Sequence, residues 1–266
     1  MTVQLYDGTE LSYSRLGLEG LVSALPDVTL VVGGWAVYGT VNTSYLREHG
    51  VPYLGSRDMD VGYHVDPSWT EEQLVNSPLN LAIEHARMSD YHAVGPYRFC
   101  RYVRKGTGAT LTEEGSRGVP VDDMFYLYLD VLVDRVHPKL EEVLGLKPVD
   151  EPVLARVFDE EMAVEASIGG LTISMPPPHV LLATKLKAIS RRRGVDKVVK
   201  DACDIFALLW HSPGGLDGVV GSARSEYPEE CRGGLGSITD EVASRAAVHL
   251  GIEVETYREA LGTLRG

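Results

Sequence analysis

The chain has 266 residues, 44% hydrophobic and 24% charged, with a formal net charge of −13. That length supports a core needing no covalent or metal staple, and the acidity argues against a non-specific nucleic-acid binder, whose affinity rests on phosphate contacts. No apolar run approaches the roughly 18–20 residues of a membrane helix; the N-terminal MTVQLYDGTE lacks the basic and apolar regions of a secretory signal; and Cys100, Cys203 and Cys231 have no CxxC spacing, against a disulfide framework or structural zinc.

The sequence therefore reads as cytoplasmic, with no membrane partner. Along the chain, residues 10–25 have the apolar spacing of a helix that stops at Pro26. TLVVGGWAVYG at 29–39 reads as a short buried strand, a glycine turn and a helix start. DMDVGYHV at 58–65 reads as a second strand. Thr70 followed by acidic residues opens a helix over 70–90, which Pro78 splits or kinks. PYRFCRYVRKGTGATLTEEG forms a hairpin around Lys105–Gly108, and MFYLYLDVLVDRV, rich in aromatic and β-branched residues, is a strand containing Asp130. By the two-residue period Asp130 shares a face with Tyr126, Tyr128, Leu132 and Asp134. A further strand ends at Pro176–Pro178, and a helix begins near His179. From there the pattern is helical, with glycine-rich loops expected at 213–218 and 232–236. The expected class is α+β: a mixed β-sheet with flanking helices over 1–177, then a helical bundle over 178–266.

Asp58 and Asp60 are one residue apart, so a strand sets both carboxylates on one face, where they repel. A divalent cation between them relieves that repulsion. Three features come in order: strand–Gly33–Gly34–helix, Ser56–Arg57–Asp58–Met59–Asp60, and Asp130 in a later strand. A glycine pair after a strand lets backbone approach a phosphate that faces a helix N-terminus. Three convergent carboxylates can hold two magnesium ions, activating an attacking oxygen and neutralising a leaving pyrophosphate. Taken singly, each feature also has a plain reading: a tight turn, a solvent-facing pair, an edge residue.

GGWA at 33–36, SRDMDV at 56–61 and the strand residue Asp130 together resemble the nucleotidyltransferase superfamily typified by DNA polymerase beta. LLATKLKAISRRRGVDKVVKDACDIFALL at 181–209 resembles the C-terminal motifs of the AbiEii abortive-infection toxin group. There a Lys is followed seven residues later by Arg, matched by Lys185 and Arg192, and a Lys-Asp-x-x-Asp helix is matched by Lys200, Asp201 and Asp204. The stretch from Gly34 to Asp58 is longer than in most of the superfamily and predicts a longer helix plus loop. The resemblance implies a nucleotidyltransferase core over 1–177. Asp58, Asp60 and Asp130 would be the Mg2+ (or Mn2+) ligands, with Asp130 helping to deprotonate the acceptor. Gly33, Gly34, Ser56 and Arg57 would lie on the nucleotide phosphates, and Lys185 on the triphosphate. Arg192, Lys200, Asp201 and Asp204 would complete a nucleotide-binding set. Implied partners are a nucleoside triphosphate such as ATP, an acceptor hydroxyl on tRNA, other RNA, a protein or a small molecule, and an antitoxin protein.

Seven basic residues lie between Lys185 and Lys200, an island in an acidic chain. They read either as a solvated helix end before Gly194 or as a phosphate clamp. Lys200 and Asp204 have i, i+4 spacing, so an ion pair stands beside the family's base role for Asp201 or Asp204. The histidines lack metal-ligand spacing and read as structural. Trp35 and Tyr38 read as core. Two other functions remain open on the same residues: a non-catalytic nucleotide- or partner-binding module, and metal-assisted phosphoester hydrolysis.

Overall fold

The computed structural model describes residues 6–25 and 29–265. Pro26, the expected stop of the first helix, lies outside the described residues. In chain order the elements are α1 (Gly8–Ala24), β1 (Leu30–Val32), α2 (Gly33–His49), β2 (Met59–Tyr63), α3 (Glu71–Val75), α4 (Pro78–Met88), β3 (His92–Ala93), β4 (Arg98–Arg104), β5 (Thr110–Leu111) and α5 (Glu113–Ser116). They continue with β6 (Met124–Val133), α6 (Leu140–Leu144), β7 (Val149–Asp150), α7 (Ala155–Asp159), β8 (Val164–Ile168), β9 (Leu171–Met175), α8 (Pro178–Ile189), α9 (Val195–His211), α10 (Gly215–Glu226), α11 (Pro228–Leu235), α12 (Asp240–Leu250) and α13 (Val254–Arg265). No described helix is long and apolar enough to cross a membrane.

The chain divides into two compact units. One joins Asp7–Val32 to Ser56–Met175 and holds the sheet; the other joins Gly33–Gly55 to Pro176–Gly266 and is helical. The last break falls at Met175–Pro176, near the 177/178 boundary expected from the sequence, while α2 groups with the C-terminal helices.

In the sheet unit the strands run β3-β4-β6-β2-β1-β9-β8, with β5 on β4 and β7 on β6. The β2–β6, β1–β9 and β6–β7 pairs are parallel and the rest antiparallel. The strand period sends Met59, Val61, Leu127, Leu129 and Val131 to the opposite face from Asp60 and Asp130, and all five are buried. Helix α1 packs on that apolar face. A Cβ added to Gly17 would lie 2.7 Å from Leu127 Cδ2 and 3.1 Å from Met59 Sδ, so only glycine lets α1 come this close. The Pro78 expectation resolves into two helices. Thr70 caps α3 in a reciprocal capping box with Gln73, and Ser77 caps α4 with Pro78 in its first turn. The β8–β9 hairpin turns through Gly169 and Gly170, whose φ values of 60° and 93° suit a two-residue turn.

In the helical unit α9 is central: every residue from Val199 to Leu209 is buried. A helix buried all round must pair its polar side chains internally, which governs Lys200, Asp201 and Asp204 below. The 213–218 and 232–236 stretches, expected as loops, lie largely in α10 and α11. Gly234 explains one of them. A Cβ there would lie 2.5 Å from the Leu186 carbonyl oxygen, so glycine serves close packing of α11 on α8 instead of a turn.

Candidate active site

β2 is parallel to β6 with Asp60 opposite Asp130, and β4 is antiparallel to β6 with Arg98 opposite Asp130. On its other side Asp60 faces Val32, the last residue of β1. Arg98, Asp130, Asp60 and Val32 therefore form one row across four adjoining strands, on one face. Gly33 follows Val32 directly, with φ +63°, and there the strand turns into α2. A left-handed residue at that point is cheap only for glycine. The strand–glycine–helix expectation thus holds, whereas β2 starts at Met59 and leaves Asp58 just outside the ladder.

Arg98 dominates the electrostatics of the row. Its Nε donates to Asp130 Oδ1 at 2.6 Å, and its Nη2 donates to Asp130 Oδ2 at 2.5 Å. The same Nη2 is 3.9 Å from Asp58 Oδ2. The guanidinium also stacks over the Tyr128 ring, 4.5 Å from its centroid. The hydrogen bonds it donates to Asp130, and then the charges of Asp130 and Asp58, hold Arg98 above the usual arginine range against the effect of burial. This bidentate, partly desolvated fork is the strong form of the arginine–carboxylate pair. The sequence reading did not single out Arg98. The signal was the antiparallel register of β4 on β6, which periodicity within one strand does not reveal.

Asp60 and Asp130 share a face and Asp58 approaches the same guanidinium, but the three carboxylates do not form a cluster of donors within 4.8 Å of one another. Among the described residues, the grouping of three His, Cys, Asp or Glu donors within 4.8 Å of one another is Glu48, His49 and His211. A guanidinium stands among the aspartates instead. Asp58, Asp60 and Asp130 are hard oxygen donors of the kind Mg2+ and Mn2+ take, and the cation that Asp130 and Asp58 meet here is the Arg98 guanidinium.

Ser56 Oγ donates to the Asp58 carbonyl oxygen at 2.9 Å and so shapes the entry to β2. Arg57 pairs with Glu10 at 3.1 Å and lies 5.5 Å from the Phe125 ring centroid. Glu10 also takes Lys105 at 3.2 Å. Asp134, assigned to the face of Asp130 by period alone, lies beyond β6. It accepts from Val65 N at 2.8 Å and pairs with His64 and Arg135, bracing the chain after β2.

The expected nucleotide set in the C-terminal helices forms a different cluster. Lys185 Nζ is 3.0 Å from Asp201 Oδ1 and 2.7 Å from Asp204 Oδ2. Lys200 Nζ is 2.5 Å from Asp204 Oδ1, as the i, i+4 spacing foresaw, and Arg192 Nε donates to Asp201 Oδ2 at 2.7 Å. The Tyr53 hydroxyl donates to Asp204 Oδ1 at 2.7 Å, with Lys200 over its ring at 5.4 Å. Arg192 lies past the end of α8 rather than on its face. Burial works against a charge on Asp204, yet Lys185 and Lys200 hold it below the usual aspartate range; burial and Asp204 push the Tyr53 hydroxyl well up. The ammonium of Lys185, expected on a triphosphate, is thus buried and committed to two aspartates. The structure gathers Lys185, Arg192, Lys200, Asp201 and Asp204 into one ion-pair network that ties α8 to α9.

No protein-family model matches the chain, and no curated protein matches it. Among solved structures it is similar to the crystal structure of an antigenic nucleotidyltransferase-like protein from Paracoccidioides brasiliensis, at 15% identity and a TM-score of 0.41, over 85% of this chain and 93% of that one.

Proposed function

We propose that the chain is a metal-dependent nucleotidyltransferase. It would move a nucleoside monophosphate from a triphosphate to an acceptor hydroxyl with release of pyrophosphate. The observation that supports this most is the row itself. Asp60 and Asp130, 70 residues apart in sequence, sit opposite each other with Asp58 near the same guanidinium. Like charges side by side destabilise a sheet, and a divalent cation would offset them as the Arg98 guanidinium does here.

Mg2+ or Mn2+ held by Asp58, Asp60 and Asp130 would supply Lewis-acid activation and neutralise charge on the phosphates. The chain's own residues do the positioning. Arg98 fixes the plane of the Asp130 carboxylate, and Ser56 fixes the backbone that presents Asp58. The Gly33–Gly34 turn that ends β1 offers backbone amides for phosphate oxygens. The resemblance of 185–204 to the toxin motifs points to tRNA or another RNA as the first acceptor to test. The ion-pair network there acts as scaffold in this reading.

The test incubates the protein with each α-labelled nucleoside triphosphate, Mg2+ and pools of tRNA, protein or small hydroxylated molecules. Label should reach one pool, and Asp58→Ala and Asp60→Ala should abolish the transfer. Undiminished transfer by either variant refutes the mechanism. Calorimetric triphosphate binding that ignores Mg2+, with no transfer, would favour a binding module; phosphate release without acceptor would favour hydrolysis.

A further inference from the structure

A second polar cluster lies in the helical unit, where two 17-residue helices, α2 and α9, end at His49 and His211. The sequence reading treated the histidines as unclustered, because 162 positions separate these two. The fold nonetheless stacks their rings 5.5 Å apart, edge to face. Glu48 lies between them, its Oε1 3.9 Å from His49 Nε2 and its Oε2 3.8 Å from His211 Nδ1. One donor atom from each residue falls within 4.8 Å of the other two.

Three physical facts favour a cation here. First, His49 Nε2 and His211 Nε2 are both buried without a hydrogen-bond partner, and the His211 side chain is 0% exposed. Its Nδ1 has only the Ser44 hydroxyl at 3.4 Å. Buried nitrogens left unmatched are costly; a metal bond would satisfy His49 Nε2, the nitrogen that faces Glu48, while His211 faces Glu48 through Nδ1. Second, both helices present their C-termini, where carbonyl dipoles favour positive charge. Third, Tyr45 and Phe206 pack against His211 and hold it in place, with ring centroids at 5.1 and 6.4 Å.

We propose that Glu48, His49 and His211 form a site for a borderline divalent transition metal, zinc first, which clips the end of α2 to the end of α9. Two imidazoles and one carboxylate are a recognised zinc donor set, leaving a fourth position for water or a hydroxyl; imidazole nitrogens suit zinc, cobalt or nickel and not magnesium. Bonds of about 2.0–2.1 Å put tetrahedral donors about 3.3 Å apart, against 3.8 and 3.9 Å from Glu48 to the two imidazoles here. Half-exposed Glu48, 52% accessible at its side chain, gives the ion a route in.

The full chain is stripped with chelator and titrated with zinc, alongside an Asp58→Asn/Asp60→Asn variant that disables the acidic row. That variant should keep about one zinc per chain, undisturbed by millimolar-scale Mg2+. Adding His49→Gln or Glu48→Gln should weaken zinc at least about tenfold. It should also abolish the visible absorption of four-coordinate cobalt(II), while leaving the melting temperature in chelator unchanged. At zinc a hundredfold above its dissociation constant the melting temperature should rise by about 5–10 °C. Loss of zinc in the double Asp variant, or unchanged zinc affinity in the His49 and Glu48 variants, overturns the proposal and leaves the carboxylate-site reading standing.

Discussion

Replacing Arg98 by Gln is the sharpest probe of the carboxylate row. The substitution keeps an N–H donor on a side chain two bonds shorter and removes the charge that meets Asp130 through two short hydrogen bonds. Hydrogen bonds to charged groups contribute about 1.5–3 kcal/mol, and breaking a fully buried pair costs about 3–5 kcal/mol. Arg98 and Asp130 side chains are 23% and 11% exposed, so solvent screening discounts that figure to about 2–3 kcal/mol. Asp58 adds repulsion, since the same guanidinium offsets its charge from 3.9 Å. In chelator the variant should therefore melt about 5–10 °C below wild type. Added Mg2+ should recover most of that loss and should bind the variant more tightly than wild type, because no resident cation competes. The assay is thermal denaturation followed by circular dichroism across a Mg2+ titration, with calorimetry for affinity. A loss under about 0.5 kcal/mol would mean the pair behaves as an ordinary surface bridge. Equal Mg2+ affinities in the two proteins would refute the idea that Arg98 occupies the cation's place.

Four further outcomes follow from the same geometry. Asp58→Asn and Asp60→Asn should cut nucleotidyl transfer at least about a thousandfold with melting temperatures at or slightly above wild type, measured by label transfer and calorimetry. Tyr53→Phe should cost about 1.5–3 kcal/mol in urea denaturation, because Asp204 loses a 2.7 Å donor while the ring volume stays. Gly234→Ala should cost about 1–3 kcal/mol, since its methyl meets the Leu186 carbonyl at 2.5 Å and must push α11 off α8. Asp204 sets an acid limit: its folded pKa lies below the unfolded value, so its contribution is complete above about pH 4 and vanishes as pH falls through the folded pKa. Acid titrations of stability should show a shallower low-pH decline in Asp204→Asn.

Much of the sheet was legible because its strands carry their own signals. The Leu30–Val32 strand, the glycine turn and the aromatic-rich Met124–Val133 strand each read from local pattern alone. So did the split at Pro78, where capping residues mark both helix starts. Of the β8–β9 hairpin only β9 was read, as the strand that ends at the proline run; β8 was not, although Ile-Gly-Gly-Leu is a hairpin signal. Gly234 misled because glycine usually signals a turn, and only the approach of α11 to α8 gives it another reason. Asp58, Asp60 and Asp130 were legible as candidates through residue type and order. Arg98, and the meeting of His49 with His211, were not, since each depends on long-range pairing that single-segment periodicity does not encode. Lys185 shows the opposite failure: its spacing was right and its partners were not, because α9 is too buried to leave two carboxylates unneutralised.

The row from Arg98 to Val32 is indexed by ladder position and not by sequence distance. Its members come from strands joined through long excursions, so insertions between residues 64 and 97 or 105 and 123 leave the alignment of the four untouched. A frame error of one residue inside β6 is another matter: it would turn Asp130 to the apolar side and bring Leu129 or Val131 to the acidic one. Divergence in such a protein should therefore concentrate in length changes of the connecting segments, with the strands accepting point substitutions but no single-residue indels.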